Sequence, residues 1–205
     1  MYRPMLFNTE MVEAIISGRK TQTRRIAKPQ PTCPRWNNIG WVGWDDGHGY
    51  RIKSPCETGD ILWVRETFCP SFYDRFFYKA GLGEKEREAL KDVGYSWKPS
   101  IHMPKEAARI FLCVKEVRIE RLQEVNGMEI LAEGVENGES NPAMGKRWEN
   151  MQKMAFAQLW DSTIDRNEMR LYGWHADPWV WVIKFERCER PVDFMEVHSE
   201  RLDND

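Results

Sequence analysis

The sequence predicts an α+β fold: several strands, mostly non-parallel, with two or three helices around a small barrel or strongly twisted sheet. Three observations carry this. Residues 178–185 run Pro-Trp-Val-Trp-Val-Ile-Lys-Phe, the continuous apolar pattern of a strand buried on both faces or closed into a barrel. Residues 109–122 alternate, with Ile110, Leu112, Val114, Val117, Ile119 and Leu122 apolar and charges between them; the parity slips after Val114, which predicts a bulge near Lys115 and Glu116. Residues 146–163 form the best helix, with Trp148, Met151, Ala155 and Leu159 as its apolar stripe. No repeat recurs at a fixed period.

The remaining elements follow in chain order. Met5 to Phe7 is a short apolar run with strand character. Asn8 or Thr9 then caps a helix on which Met11, Val12, Ile15 and Ile16 share a face, and Gly18 stands where a left-handed residue ends it. Thr21, Thr23 and Ile26 mark an extended segment. Residues 28–59 hold four Pro, five Gly and Trp36, Trp41 and Trp44. Such a stretch is too long for a plain loop, so it reads as an inserted hairpin, residues 41–44 against 50–52, turning at Asp46 to Gly49. Residues 61–66 and 76–79 read as strands, 82–93 as a surface loop with a helical turn, and Pro104 as the start of a short helix. Residues 126–135 read as a helix with Gly134 near its end, and the segment after Pro191 as a solvated terminus.

The chain has 205 residues. At roughly 150 residues per domain this is one domain with insertions, placed at 1–190 with the insertion at about 28–59 and an acidic tail at 191–205. An apolar fraction of 41% and a charged fraction of 30% exclude collagen-like, low-complexity and disordered classes. No run approaches a spanning helix and the N-terminal apolar run is short for a signal peptide, so the expected location is cytoplasmic, with no membrane partner. Five scattered Cys form no CxxC pair, which argues against a disulfide framework or a zinc site. The net charge of −2 conceals opposites. Residues 17–28 carry Arg19, Lys20, Arg24, Arg25 and Lys28 with no acid, a local +5. Residues 186–205 carry seven acids against three Arg, a local −4.

The basic segment reads Gly18-Arg19-Lys20-Thr21-Gln22-Thr23-Arg24-Arg25. If it is extended, Lys20, Gln22 and Arg24 face one way and Thr21, Thr23 and Arg25 the other. Lys20 and Thr23 then converge only if the chain turns after Gly18. The octapeptide resembles the signature of the ASCH domain, a small PUA-like β-barrel. Four further stretches, at 6–12, 59–66, 100–104 and 177–182, are similar to its phage- and bacteria-associated branch and occur in the expected order up to about residue 187. The resemblance implies a PUA-like small β-barrel with flanking helices and the Trp-rich hairpin inserted. One branch of the family removes acyl groups from N4 of cytosine nucleosides with a Lys, a Thr and a Glu. By that resemblance these are Lys20, Thr23 and Glu133, with Glu129 one turn earlier as the alternative carboxylate. This chain is roughly twice the size of a minimal member of that branch.

The implied chemistry is coherent without metal or cofactor. A Thr hydroxyl needs a base to become nucleophilic. A desolvated Lys among cations such as Arg19, Arg24 and Arg25 has a lowered pKa and serves as one. Glu133 orients Lys20 or shuttles the proton to the leaving amine; alternatively Glu133 activates water and Lys20 polarises the carbonyl. Arg19, Arg25, Arg65, Glu66, Trp41 and Trp44 are the candidate substrate contacts. Arg65 and Glu66 end an apolar strand, and the Trp pair offers stacking faces. The expected reaction is hydrolysis of an N4-acylated cytosine or cytidine, with a small nucleoside or nucleobase as partner. Two other readings use the same patch: a non-catalytic RNA-binding module, or a ribonuclease. His48, His102, His175 and His198 lack metal-ligand spacing, and Ser100 with His102 has no acid to complete a triad.

Overall fold

A computed structural model describes residues 1–37, 40–46, 48, 52–71, 75–135 and 142–195, with backbone alone at 33–37, 40–44 and 144. Among these residues the fold is α+β, with nine strands and five α-helices. They are β1 (Tyr2–Leu6), α1 (Thr9–Ile16), β2 (Gln22–Ile26), β3 (Cys33–Asn37), β4 (Gly40–Asp45), β5 (Ile61–Arg65), β6 (Phe68–Pro70), β7 (Phe76–Tyr78), α2 (Glu84–Asp92), β8 (Phe111–Arg121), α3 (Gly127–Ala132), α4 (Lys146–Ser162), α5 (Met169–Tyr172) and β9 (Trp179–Cys188). Five strands form one sheet in the order β1-β5-β8-β9-β2. β1 pairs with β5 in parallel, whereas β5 with β8 and β2 with β9 are antiparallel. The described pairings leave β1 and β2 at the edges, so this sheet is open rather than closed into a barrel. β3 with β4, and β6 with β7, make two separate two-stranded sheets.

The chain divides into two compact units, each drawn from separated segments. Unit 1 comprises residues 1–18, 59–114 and 185–205; unit 2 comprises 19–58 and 115–184. β8 changes unit at Val114 to Lys115, where the alternation of the sequence slips.

In unit 1, Asn8 caps α1 by accepting the Met11 amide at 2.8 Å, and Val12, Ala14 and Ile15 are buried. Ile16, expected on that face, is exposed. α2 is a full helix with no buried residue, where the sequence suggested a surface loop with a helical turn; its charged surface left no apolar period to read. Of the segment expected to be solvated after Pro191, residues 196–205 lie outside the described residues; Val192, Asp193 and Met195 are exposed, but Phe194 is not. Phe194 is fully buried against Tyr2, Trp63 and Phe111, at ring distances of 5.3, 6.1 and 4.7 Å. One aromatic anchor ties down residues that lack periodic apolar content.

In unit 2, the core gathers Leu122, Val125, Ile130, Phe156, Trp160, Val180 and Val182. The buried line of α4 is Trp148, Gln152, Phe156 and Trp160. The expected stripe of Met151, Ala155 and Leu159 is only half-buried, one residue round the helix. Among the described residues the hairpin pairs β4 with the upstream β3, and most of the expected second arm at 50–52 lies outside them. Its register sets Asn37 opposite Gly40, turn-forming types that the Trp-rich content obscured. Residues 50 and 51 lie outside the described residues.

Candidate active site

The site is built in unit 2, where the basic segment meets the end of α3. Gly18 adopts φ +77°, a left-handed conformation that costs an L side chain about 1 kcal/mol, and so ends the helical stretch before the segment. Lys20 then forms an isolated antiparallel bridge with Glu133, and the Thr21 amide donates to the Ala132 carbonyl at 2.9 Å. Asn126 caps α3: its Oδ1 accepts the Glu129 amide at 3.0 Å, while the Asn126 amide donates to Glu129 Oε2 at 3.2 Å. Six residues later the helix ends, and Glu133 is its C-terminal cap.

Lys20 is 2% exposed and Glu133 5%. Lys20 Nζ donates to Glu133 Oε2 and to the Glu133 carbonyl, both at 2.8 Å. The other carboxylate oxygen, Oε1, accepts from Arg24 Nη1 at 3.0 Å. Arg24 Nη2 donates to Glu120 Oε1 at 2.5 Å and Glu129 Oε2 at 3.1 Å. Arg118 continues the chain of charge, donating to Glu120 and Glu116 at 3.0 Å each and to Glu129. Lys184 closes it with Glu116 at 3.0 Å. Burial pulls the Lys20 ammonium below its ordinary pKa; Glu133 opposes this, and Arg25 and Arg24 reinforce it. Burial lowers Arg25 likewise, against the pull of Glu133. Hydrogen bonds from Lys184, then Arg118, hold the Glu116 carboxyl below its usual range.

The structure thus joins Lys20 and Glu133 directly, and Glu129 enters the same network through Arg24. Thr23 is 1% exposed, and among the described residues no hydrogen bond links it to Lys20 or Glu133. Alternation explains this: β2 is regular from Gln22, so Thr23 lies on the face opposite Gln22 and Arg24. Arg19 is exposed and Arg25 half-buried. Arg65 and Glu66 belong to unit 1 and have partners there. Arg65 donates to the Ile101 carbonyl, and Glu66, fully buried, takes a bidentate pair from Arg109 at 2.8 and 2.9 Å. The side chains of Trp41 and Trp44 lie outside the described residues. His48, His102 and His175 are exposed.

Sequence reasoning counted Arg24 only as background charge and missed Glu120 and Arg118. The alternation of β2 signalled Arg24, but nothing local ties Glu120 to a strand almost a hundred residues earlier. Among the described residues no group of three or more His, Cys, Asp or Glu is placed to hold a metal. An open groove of about 550 Å³ runs along α4, lined by Lys153, Met154, Trp174 and His175 among others, and contains none of the predicted site residues.

No protein-family model and no curated protein matches the chain. Among solved structures it is similar to one described as the crystal structure of hypothetical protein PH0355, at 14% identity and a TM-score of 0.37, over 92% of this chain and 100% of that one. A likeness of that size carries no argument about fold or activity.

Proposed function

We propose that the protein is an amidohydrolase that removes the acyl group from N4-acylated cytosine or cytidine, with Lys20 and Glu133 as its catalytic pair. The same proposal makes the chain a cytoplasmic member of the phage and bacterial ASCH branch, with a PUA-like architecture. One observation carries it: a buried lysine whose ammonium is weakened by burial, hydrogen-bonded at 2.8 Å to a buried carboxylate. Such a pair has a proton to give and an acceptor to take one. Water attacks the acyl carbon while Glu133 accepts its proton, forming the new C–O bond. The C–N4 bond then breaks as Lys20 protonates the departing amine. Proton transfer from Glu133 to Lys20 along their hydrogen bond restores the resting charges. Thr23, on the other strand face, is not the attacking group in this scheme.

The alternative of an RNA-binding surface draws less support from the same residues. Of the five cations in the basic segment, Lys20 and Arg24 are buried against carboxylates and Lys28 is paired with Glu168 at 2.8 Å. Phosphate contacts need exposed, uncommitted charge. The deciding experiment is incubation with N4-acetylcytidine, following cytidine and acetate release. Wild type and Thr23→Val turn over; Lys20→Ala and Glu133→Gln do not. Substrate left intact by the wild type, with RNA retained in a salt-dependent manner, overturns the assignment in favour of the binding module.

A further inference from the structure

Gln22 lies between Lys20 and Arg24 in sequence and on the same face of β2 as Arg24. Arg24 donates from that face to Glu133, which Lys20 also reaches just before the strand, so the face is turned to the catalytic pair. Gln22 is 1% exposed and, among the described residues, its Nε2 has no hydrogen-bond partner. Arg24, whose Nη1 and Nη2 are committed to three carboxylates, has an equally buried Nε without a partner. Buried donors left unsatisfied are costly, and native proteins keep few of them. Two on one strand face, beside a buried proton-transfer pair, mark a place where something else supplies acceptors. They stand two residues apart on the same strand face.

We propose that Gln22 Nε2 and Arg24 Nε read the acceptor edge of the pyrimidine, its O2 carbonyl and ring N3, which makes Gln22 a specificity-determining residue for cytosine over uracil. The substrate class rests on the amidohydrolase reading. Cytosine presents acceptors at both O2 and N3, and acylation at N4 leaves both in place. Uracil carries a hydrogen at N3, which sets donor against donor and leaves a buried group unpaired. Discrimination by an unpaired buried group exceeds what shape alone achieves.

The test combines calorimetric binding of cytidine and uridine with turnover of N4-acetylcytidine, for wild type, Gln22→Met and Gln22→Glu. The wild type binds cytidine at least about tenfold more tightly than uridine, the factor that one well-placed hydrogen bond supplies. Gln22→Met raises KM for N4-acetylcytidine by about the same factor with kcat little changed. It also raises Tm, because an unsatisfied buried donor is replaced by an apolar group of similar shape. Gln22→Glu, isosteric but without the donor, loses the preference for cytidine. Equal binding of the two nucleosides by wild type overturns the inference. So does a Gln22→Met protein with lowered Tm and unchanged KM, the signature of a purely structural glutamine. Failure of the two readings is distinguishable. Gln22-dependent cytidine preference without hydrolysis removes the amidohydrolase and keeps the reader; hydrolysis indifferent to Gln22 does the reverse.

Discussion

Arg24→Met isolates what the charge network contributes. Arg24 is 3% exposed and is the one cation bonded to Glu133, Glu120 and Glu129 together. Met keeps most of the side-chain volume beside Phe156, whose ring centre lies 5.9 Å from the guanidinium carbon. Removing one member of a buried ion pair costs about 3–5 kcal/mol, because the partner charge stays desolvated. Glu120 and Glu129 keep Arg118, and Glu133 keeps Lys20, so no carboxylate is left without a cation. That places the loss at the low end, about 3 kcal/mol. For a chain of this size it corresponds to a Tm decrease of about 6–12 °C. Urea denaturation and a thermal scan measure it. The mechanism makes a second demand. Arg24→Met combined with Glu133→Gln recovers part of the loss, since a neutral amide is cheaper to bury than a half-paired carboxylate. A loss below about 1 kcal/mol, as for an exposed ion pair, or strict additivity of the two changes, refutes the reasoning.

Two further outcomes follow from the same geometry. Burial sets the Lys20 ammonium below its ordinary 10.5, so between that lowered value and 10.5 the unfolded chain binds more protons and stability rises with pH; urea midpoints measured across this alkaline window climb for wild type and flatten for Lys20→Met, and an unchanged slope refutes the assignment. Gly127, the first residue of α3, is pressed against Trp148, and a Cβ there would lie 2.3 Å from the indole. Gly127→Ala therefore costs about 1–3 kcal/mol by overpacking; displacement of α3 carries Glu129 and Glu133 with it, so kcat for N4-acetylcytidine falls more than KM changes.

Legibility varied with how far apart the interacting residues lie. α1, its Asn8 cap and the Gly18 stop were readable, because capping and left-handed glycine are local chemistry. β8 was readable from its alternation, β9 from its unbroken apolar run and α4 from its helical period, although the buried line of α4 runs one residue further round. The upstream partner of β4 was not, since β3 lies in a Pro-containing stretch whose composition looked like loop. α2 and Phe194 escaped for opposite reasons, one having no apolar face and the other being a single anchor without periodicity. At the site, alternation along residues 20–25 already separated Lys20 from Thr23, and β2 keeps that alternation. The same rule set Gln22 and Arg24 beside Lys20, although the basic run drew attention to charge rather than to face. The +5 segment looked like a solvated stripe because its carboxylates, Glu120, Glu129, Glu133 and Glu168, lie about a hundred residues or more away in sequence.

Buried ion pairs do not by themselves indicate chemistry, and the chain contains its own comparison. In unit 1, Glu66 is fully buried, and burial raises its pKa against the opposing pull of Arg109. Arg109 saturates both oxygens and rests on the Tyr78 ring at 4.0 Å, with about a third of its side chain in water. An arginine does not surrender its proton in a protein. The Glu66 pair is therefore a fixed charge that holds β5 to its neighbours, and it has no proton to exchange. The Lys20 pair differs in kind. Its cation is a lysine, the type that titrates when desolvated, and burial has weakened that cation's hold on the proton. In the proposed mechanism Arg24 keeps Glu133 in place while Lys20 gives and regains its proton. A structural clamp needs only the Arg24–Glu133 half of this arrangement. In the proposed mechanism the added lysine, buried beside it, is the group that moves the proton.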